Sequence, residues 1–135
     1  MNERVARLAT LRSLPRRGNV MNEQCPSRDI LGHVTGRWGG LILASLRRGT
    51  RRFSELRREI GGVTEKMLAE TLRNLERDGL VSRKVFPVIP PRVDYSLTPM
   101  GIECAERVGA LQGWIEEHVK KLVRCQIDYD VPAGR

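Results

Sequence analysis

Lys66, Glu70, Arg73 and Arg77 recur at three- and four-residue intervals, a spacing that gathers side chains on one side of a helix. With Asn74, and with Thr64 at the helix start, they make a set able to read nucleic acid. Lys and Arg donate to guanine, Asn pairs with adenine, and a carboxylate such as Glu70 can accept from a cytosine amine. The plainer reading of the same charges is a solvated helix face. A second set, Arg83, Lys84 and Arg92, flanks Pro87-Val88-Ile89-Pro90-Pro91, where cations gain affinity for phosphate by releasing its counterions.

Bond-breaking chemistry finds no such set. His33 and His118 stand far apart, each in a helical stretch, and the glycines never form a phosphate loop. The three cysteines match no zinc spacing, so neither a metal nor a cofactor is expected, and an enzyme is the weakest class. Cys25 precedes Pro26 at a helix start, with Arg28 nearby. Free helix amides and the positive end of the helix dipole favour a thiolate there, which makes Cys25 a redox-sensing candidate against the plainer reading of a packed thiol. Cys104 and Cys125 are read as ordinary thiols.

These side chains need elements to hold them. A helix from Thr64 to Asp78 buries Leu68, Leu72 and Leu75 and turns the charged set outward; Thr64 caps its start and Gly79 ends it. Before it, Phe53 to Ile60 forms a short helix with Leu56 and Ile60 inward and Ser54 as cap, joined through a Gly61-Gly62-Val63 turn. After it, Leu80–Phe86 and Arg92–Leu97 alternate apolar and polar residues, and the prolines between them can extend neither a ladder nor a helix. The order is helix, turn, helix, wing: a mainly α fold with a small β-hairpin (α+β), suited to double-stranded DNA.

Residues 1–20 form a basic arm with Arg4, Arg7, Arg12, Arg16 and Arg17 against the single acid Glu3. It reads as mobile, as a short helix ordered by a partner, or as an extension ahead of a second start at Met21. The segment 21–124 carries the module. Within it a helix runs from Cys25 to about Val34 and another from Arg37 to Arg48, with Trp38, Leu41, Ile42, Ser45 and Leu46 on one side. Thr98-Pro99 opens a helix of about 25 residues, roughly 38 Å long, which exceeds what so small a core can cover. Its apolar positions Val108, Leu111, Ile115, Val119 and Leu122 are the expected dimer stripe of a homodimer. Residues 125–135 show no periodicity and are expected to be a flexible tail.

Composition agrees. Lys and Arg number 24 against 16 acids, for a formal charge of +8, as expected of a chain that binds polyanions. An anionic membrane would also attract that charge, but no apolar run approaches a membrane span, so the protein is expected to be cytoplasmic, with no membrane partner. Only 4 % of residues are aromatic, which leaves Leu, Val and Ile to fill the core.

Five blocks now stand in order: Cys25-Pro26, Gly36-Arg37-Trp38, Arg52-Phe53-Ser54-Glu55-Leu56, Lys66-Met67-Leu68 and Pro90-Pro91-Arg92-Val93-Asp94-Tyr95-Ser96-Leu97-Thr98. From Cys25 to about Val119 the chain resembles the HxlR-type bacterial transcription regulators. The resemblance implies a winged-helix homodimer on a palindromic operator, with N- and C-terminal helices at the dimer contact; repression is the expected direction of control, though the sequence itself does not name its sign. The resemblance also implies a small-molecule or oxidant effector, because in several relatives the cysteine matching Cys25 resembles a sensor. Gly39-Gly40 depart from the pattern and suggest a looser turn. MarR-like and PadR-like regulators share the winged helix; the Cys-Pro start and Pro-Pro-Arg wing favour the HxlR type. The rival from another class is a winged helix whose Lys66, Arg73 and Arg77 face meets an acidic protein.

Overall fold

The computed structural model describes residues 2–134. Its elements follow the chain as α1 (Glu3–Ser13), α2 (Pro26–Thr35), α3 (Gly39–Arg47), α4 (Phe53–Glu59), α5 (Glu65–Arg77), β1 (Val81–Phe86), β2 (Arg92–Leu97) and α6 (Pro99–Asp130). Leucine dominates the core, as the scarcity of aromatics requires: Leu43, Leu56, Leu68 and Leu75 are fully buried, together with Ile42. These residues come from α3, α4 and α5, so one cluster fixes the three helices at once.

Helix α3 sits at the centre, packed against α2, α4, α5 and α6 and against β2. Its inward side differs from the expected one. Leu43 is buried and Leu41 is 41 % exposed, because partners on several sides bury a wider arc than a single amphipathic stripe. The expected looseness at Gly39-Gly40 is also overturned. A β-carbon on Gly39 would stand 1.8 Å from the His33 carbonyl oxygen, and one on Gly40 would lie 3.2 Å from the Val34 carbonyl oxygen and 3.3 Å from Val108. Both glycines are buried, so they permit close approach rather than a slack turn.

The junctions follow from local chemistry. Thr64 caps α5 by accepting from the Met67 amide at 3.1 Å, and Gly79 closes that helix at φ +78°. Ser54 does not cap α4; the cap position is Arg52, whose amide donates to the Glu55 carboxylate at 2.9 Å. Glu55 is the side chain that reaches back, so the carboxylate of the third helical residue does the work expected of a serine. At α6, Thr98 accepts from the Gly101 amide and its hydroxyl donates to the Gly79 carbonyl oxygen at 2.6 Å. One threonine thus starts the long helix and ties it to the end of α5.

The strands pair antiparallel, with Val81 opposite Leu97, Lys84 opposite Asp94 and Phe86 opposite Arg92. Arg51 adds a second partner to β2 through two backbone hydrogen bonds with Tyr95, at 2.9 and 2.8 Å. Helix α6 has 32 residues, about 48 Å at ~1.5 Å per residue. It continues through residues 125–130, which were expected to be a flexible tail. The arm contains the helix α1, with no buried residue among those described.

Gly39→Ala should lower the unfolding free energy by about 1–3 kcal/mol, the usual cost of forcing atoms into a filled site. Gly61→Ala, where an added methyl meets nothing within 4 Å, is the control. Urea denaturation of both variants checks the pair, and equal midpoints would show that the α2–α3 junction has room.

Candidate nucleic-acid interface

Helix α5 presents two unlike sides. Leu68, Leu72 and Leu75 are at most 2 % exposed, whereas Lys66, Glu70, Arg73 and Arg77 are all exposed. Asn74 is half-buried on the flank of that outer face. Because the leucines are locked into the shared core, rotation about the helix axis is blocked and the charged side must face solvent. Thr64 is exposed with its oxygen committed to the cap, which leaves its hydroxyl proton as the group it can offer outward.

The hairpin stands beside α5 and packs on it through β1. Arg83 reaches the cleft between hairpin and helix, sharing it with Arg73, Glu76 and Tyr95. The pleat sends Lys84, Phe86 and Arg92 to the other side of the hairpin. There the Lys84 ammonium lies 4.9 Å and the Arg92 guanidinium 4.1 Å from the centre of the Phe86 ring. Arg92 is also 3.4 Å from the Asp94 carboxylate, though its Nε makes no hydrogen bond. The expectation of a freely offered Arg92 is therefore modified: it is braced on Phe86 and its charge is partly balanced by Asp94.

Two networks behind this surface escaped sequence reasoning. Glu59, at the end of α4, accepts from the Ser45 hydroxyl of α3 and from Arg51 Nε at 2.8 Å. The Ser45 hydroxyl, and next the Arg51 guanidinium, hold the Glu59 carboxyl below its ordinary value. Arg51 is the residue whose backbone pairs with β2, so this cluster couples the helix pair to the wing. In the second network, His33 Nδ1 of α2 lies 2.6 Å from the Asp78 carboxylate at the end of α5. Contacts between residues so far apart in sequence leave no local spacing by which to find them. Arg57 of α4 and Glu65 at the start of α5 pair at 2.8 Å across the turn.

Cys25 is half-buried at the start of α2. Its thiol is pushed down chiefly by the Ser27 hydroxyl, which donates to Sγ at 3.1 Å, and then by the Asn19 and Ser27 amides. Arg28, expected to contribute, is absent from these causes. Cys104 is pushed the other way by burial. On α6, Val108 was expected in a bare dimer stripe but packs against the chain's own core together with Cys104, and the Gln112 amide donates to the Gly40 carbonyl oxygen at 2.9 Å. Farther along, Ile115 and Val119 are 43 % and 48 % exposed, and Leu111 is 52 % exposed to one side of their line. Leu122 is half-buried. His118 stacks on Trp114 at 4.7 Å and plays no part in the surface around α5.

A helix pair at a glycine turn, an outward charged face and a flanking hairpin define a winged helix-turn-helix. The model of the HxlR-like helix-turn-helix family matches residues 33–122, and the chain belongs to that family. It is 58 % identical over 106 residues to the HTH-type transcriptional regulator YtfH of Escherichia coli K12, covering 78 % of this chain and 84 % of that one. It is similar to the solved structure of ytfH from Salmonella typhimurium, with TM-score 0.78, 54 % identity, and 82 % and 98 % of the two chains covered. The redox regulator HypR in its reduced form also matches, at TM-score 0.67 and 35 % identity over 73 % of this chain and 98 % of that one. The chain is a transcriptional regulator of the helix-turn-helix class. Among the described residues no helix is long and apolar enough to cross a membrane.

Because the folded-state value of Glu59 lies below its unfolded one, the network stabilises the fold above the ordinary carboxylate range and is lost as pH falls through the folded value. Glu59→Gln should lower Tm at neutral pH and narrow the gap between neutral and acid Tm. The drop should be small, since the Glu59 side chain is 40 % exposed and water screens the pair. Thermal melts at the two pH values check this, and an unchanged acid response would remove Glu59 from the account.

Proposed function

We propose that the chain represses transcription by binding a palindromic operator as a homodimer, with α5 in the major groove. The observation that carries this reading is the outward face of α5, which leaves Lys66, Glu70, Arg73 and Arg77 exposed to solvent beside the hairpin. In this reading Lys66, Arg73 and Asn74 reach base edges, and Arg77 and the Thr64 hydroxyl meet the backbone at either end. Lys84 and Arg92 contact phosphate or the minor groove from the wing. Glu70 is negative among them, so it costs affinity unless it accepts from a cytosine amine.

The pattern of α6 supports the second copy. Gly101, Ala105, Val108, Gln112, Ile115, Val119 and Leu122 alternate steps of four and three residues, the repeat of a helix seam. The chain's own body covers that seam as far as Gln112; beyond it Ile115 and Val119 are 43 % and 48 % exposed and Leu122 is half-buried. A second α6 is the simplest cover, and a two-fold dimer gives an operator with two related half-sites. Cys25 is the candidate redox switch: its thiol is the one drawn toward the reactive thiolate form, and a similar protein is a redox regulator. In this reading an oxidant or electrophile is the effector, and the protein recruits no cofactor.

Selection of bound fragments from genomic DNA tests the reading. Recovered fragments should share a palindrome, and binding should weaken steeply with salt. On that operator Arg73→Ala should cost about 1–3 kcal/mol and relax preference at one position per half-site. Arg92→Ala should weaken operator and random DNA alike and reduce the salt slope by about one unit or less, given its brace on Asp94. Uniform weakening by Arg73→Ala would exclude base reading by that side chain. Val119→Glu should yield monomers with reduced operator affinity, and a wild-type chain that sediments as a monomer at micromolar concentration would remove the dimer.

A further inference from the structure

The tip of the wing has an unusual composition for a surface that meets a polyanion. Pro87, Val88, Ile89, Pro90 and Pro91 are all exposed, and Ile89 is 101 % exposed, with Val88 at 52 %. None of the five carries a charge or a polar side chain, so the tip has no side chain to offer a phosphate. Leaving a whole isoleucine in water forgoes the burial that normally rewards it. The loop also holds a definite shape: its prolines restrict the backbone, and the Val88 amide donates to the Phe86 carbonyl oxygen at 2.8 Å. Directly beneath stand Lys84 and Arg92, gathered on the Phe86 ring.

A narrow apolar point above two cations fits the minor groove of DNA. Apolar side chains there press between base pairs and open the step, while cations on either side are held by the phosphates. We propose that Ile89, backed by Val88, is a wedge that enters the minor groove at one base step beside the half-site, partly unstacks it and bends the duplex toward the major groove, where α5 lies. This rests on the DNA-binding reading and adds a specificity residue that makes no hydrogen bond to any base. The step beneath the wing should be a flexible pyrimidine–purine step, because such a step resists kinking least. Charge and placement favour DNA over an apolar partner: the tip rides on the hairpin that packs against α5, and Lys84 and Arg92 beside it are cationic.

The test uses the full chain and a duplex from the genomic selection, end-labelled for energy transfer and carrying 2-aminopurine at the step under the wing. Wild type should bend this duplex by about 20–90° and raise the 2-aminopurine emission, both marks of a kinked step. Ile89→Ala changes a side chain that is wholly in solvent, so the fold should be untouched. It should keep the base preferences of α5, bend the duplex less than half as much, and bind about 3- to 30-fold more weakly. Replacing the flexible step by a stiff one should weaken wild type and leave the variant almost unchanged. A variant that bends and unstacks the operator as wild type does would overturn the wedge. So would a variant with unaltered DNA behaviour that lost binding to phosphatidylglycerol vesicles, which would make the tip a membrane contact. A wild-type chain without sequence-selective binding would sink the underlying DNA reading instead, so the two failures are distinguishable.

Discussion

Burial of Leu68, Leu72 and Leu75 against the central helix is the interaction on which the rest of the structure depends. Each leucine is at most 2 % exposed, and full burial of such a side chain contributes about 1.5–3 kcal/mol. The same contact decides direction. A helix fixed by three leucines on one side can present only its opposite side, and here that side bears Lys66, Glu70, Arg73 and Arg77. The energy that holds the module together therefore also aims its polar face, and neither can be altered alone.

The wing is held by different forces. Its two strands offer little core of their own, and a lone hairpin is marginal in water. Three anchors compensate: β1 packs on α5, the Arg51 backbone pairs with Tyr95, and Glu59 fixes the Arg51 side chain. The last two make hairpin position a consequence of the end of α4, which in turn is set against α5 by the glycine turn. A shift of the helix pair would therefore carry the wing with it. The opposite end of α5 is tied separately, by Asp78 to His33 and by Gly79 to Thr98, so α2 and α6 both bear on the helix that carries the polar face.

Periodicity and capping chemistry made most of this legible. The leucine spacing, the Thr64 cap, Gly79 and the proline-split hairpin are local signals, and each element stands where they place it. What stayed hidden was non-local. Leu43 falls outside the single stripe that the spacing gives α3, a helix that has neighbours on several sides. Gly39 and Gly40 looked like weak helix formers because their partners, the His33 and Val34 carbonyls, become near only after α2 and α3 fold together. Glu59 and His33 carried no pattern at all, since each finds its role with residues from another element. In α6 the seam was visible, but where the chain's own cover ends was not: Val108 is claimed by the core, and the helix persists past residue 124 although its apolar rhythm fades.

That last difference bears on how the proposed dimer would transmit a signal. The first half of α6 is welded to its own module, with a β-carbon on Gly101 excluded by the Leu80 carbonyl oxygen at 1.9 Å and Gln112 bonded to Gly40. The second half carries the continuation of the seam, with Ile115 and Val119 exposed and Leu122 half-buried. In the proposed dimer one helix would thus belong to two bodies, its own module through one half and the second copy through the other. Any change in how two such helices cross would swing the attached α5 faces through a large arc, because a helix of this length acts as a lever. Cys25 lies at the start of α2, which shares Asp78 with α5 through His33, so a modification there would act on the module at the short end of that lever. Small rearrangements around α2 and α3 would be read out as the spacing between two distant reading helices.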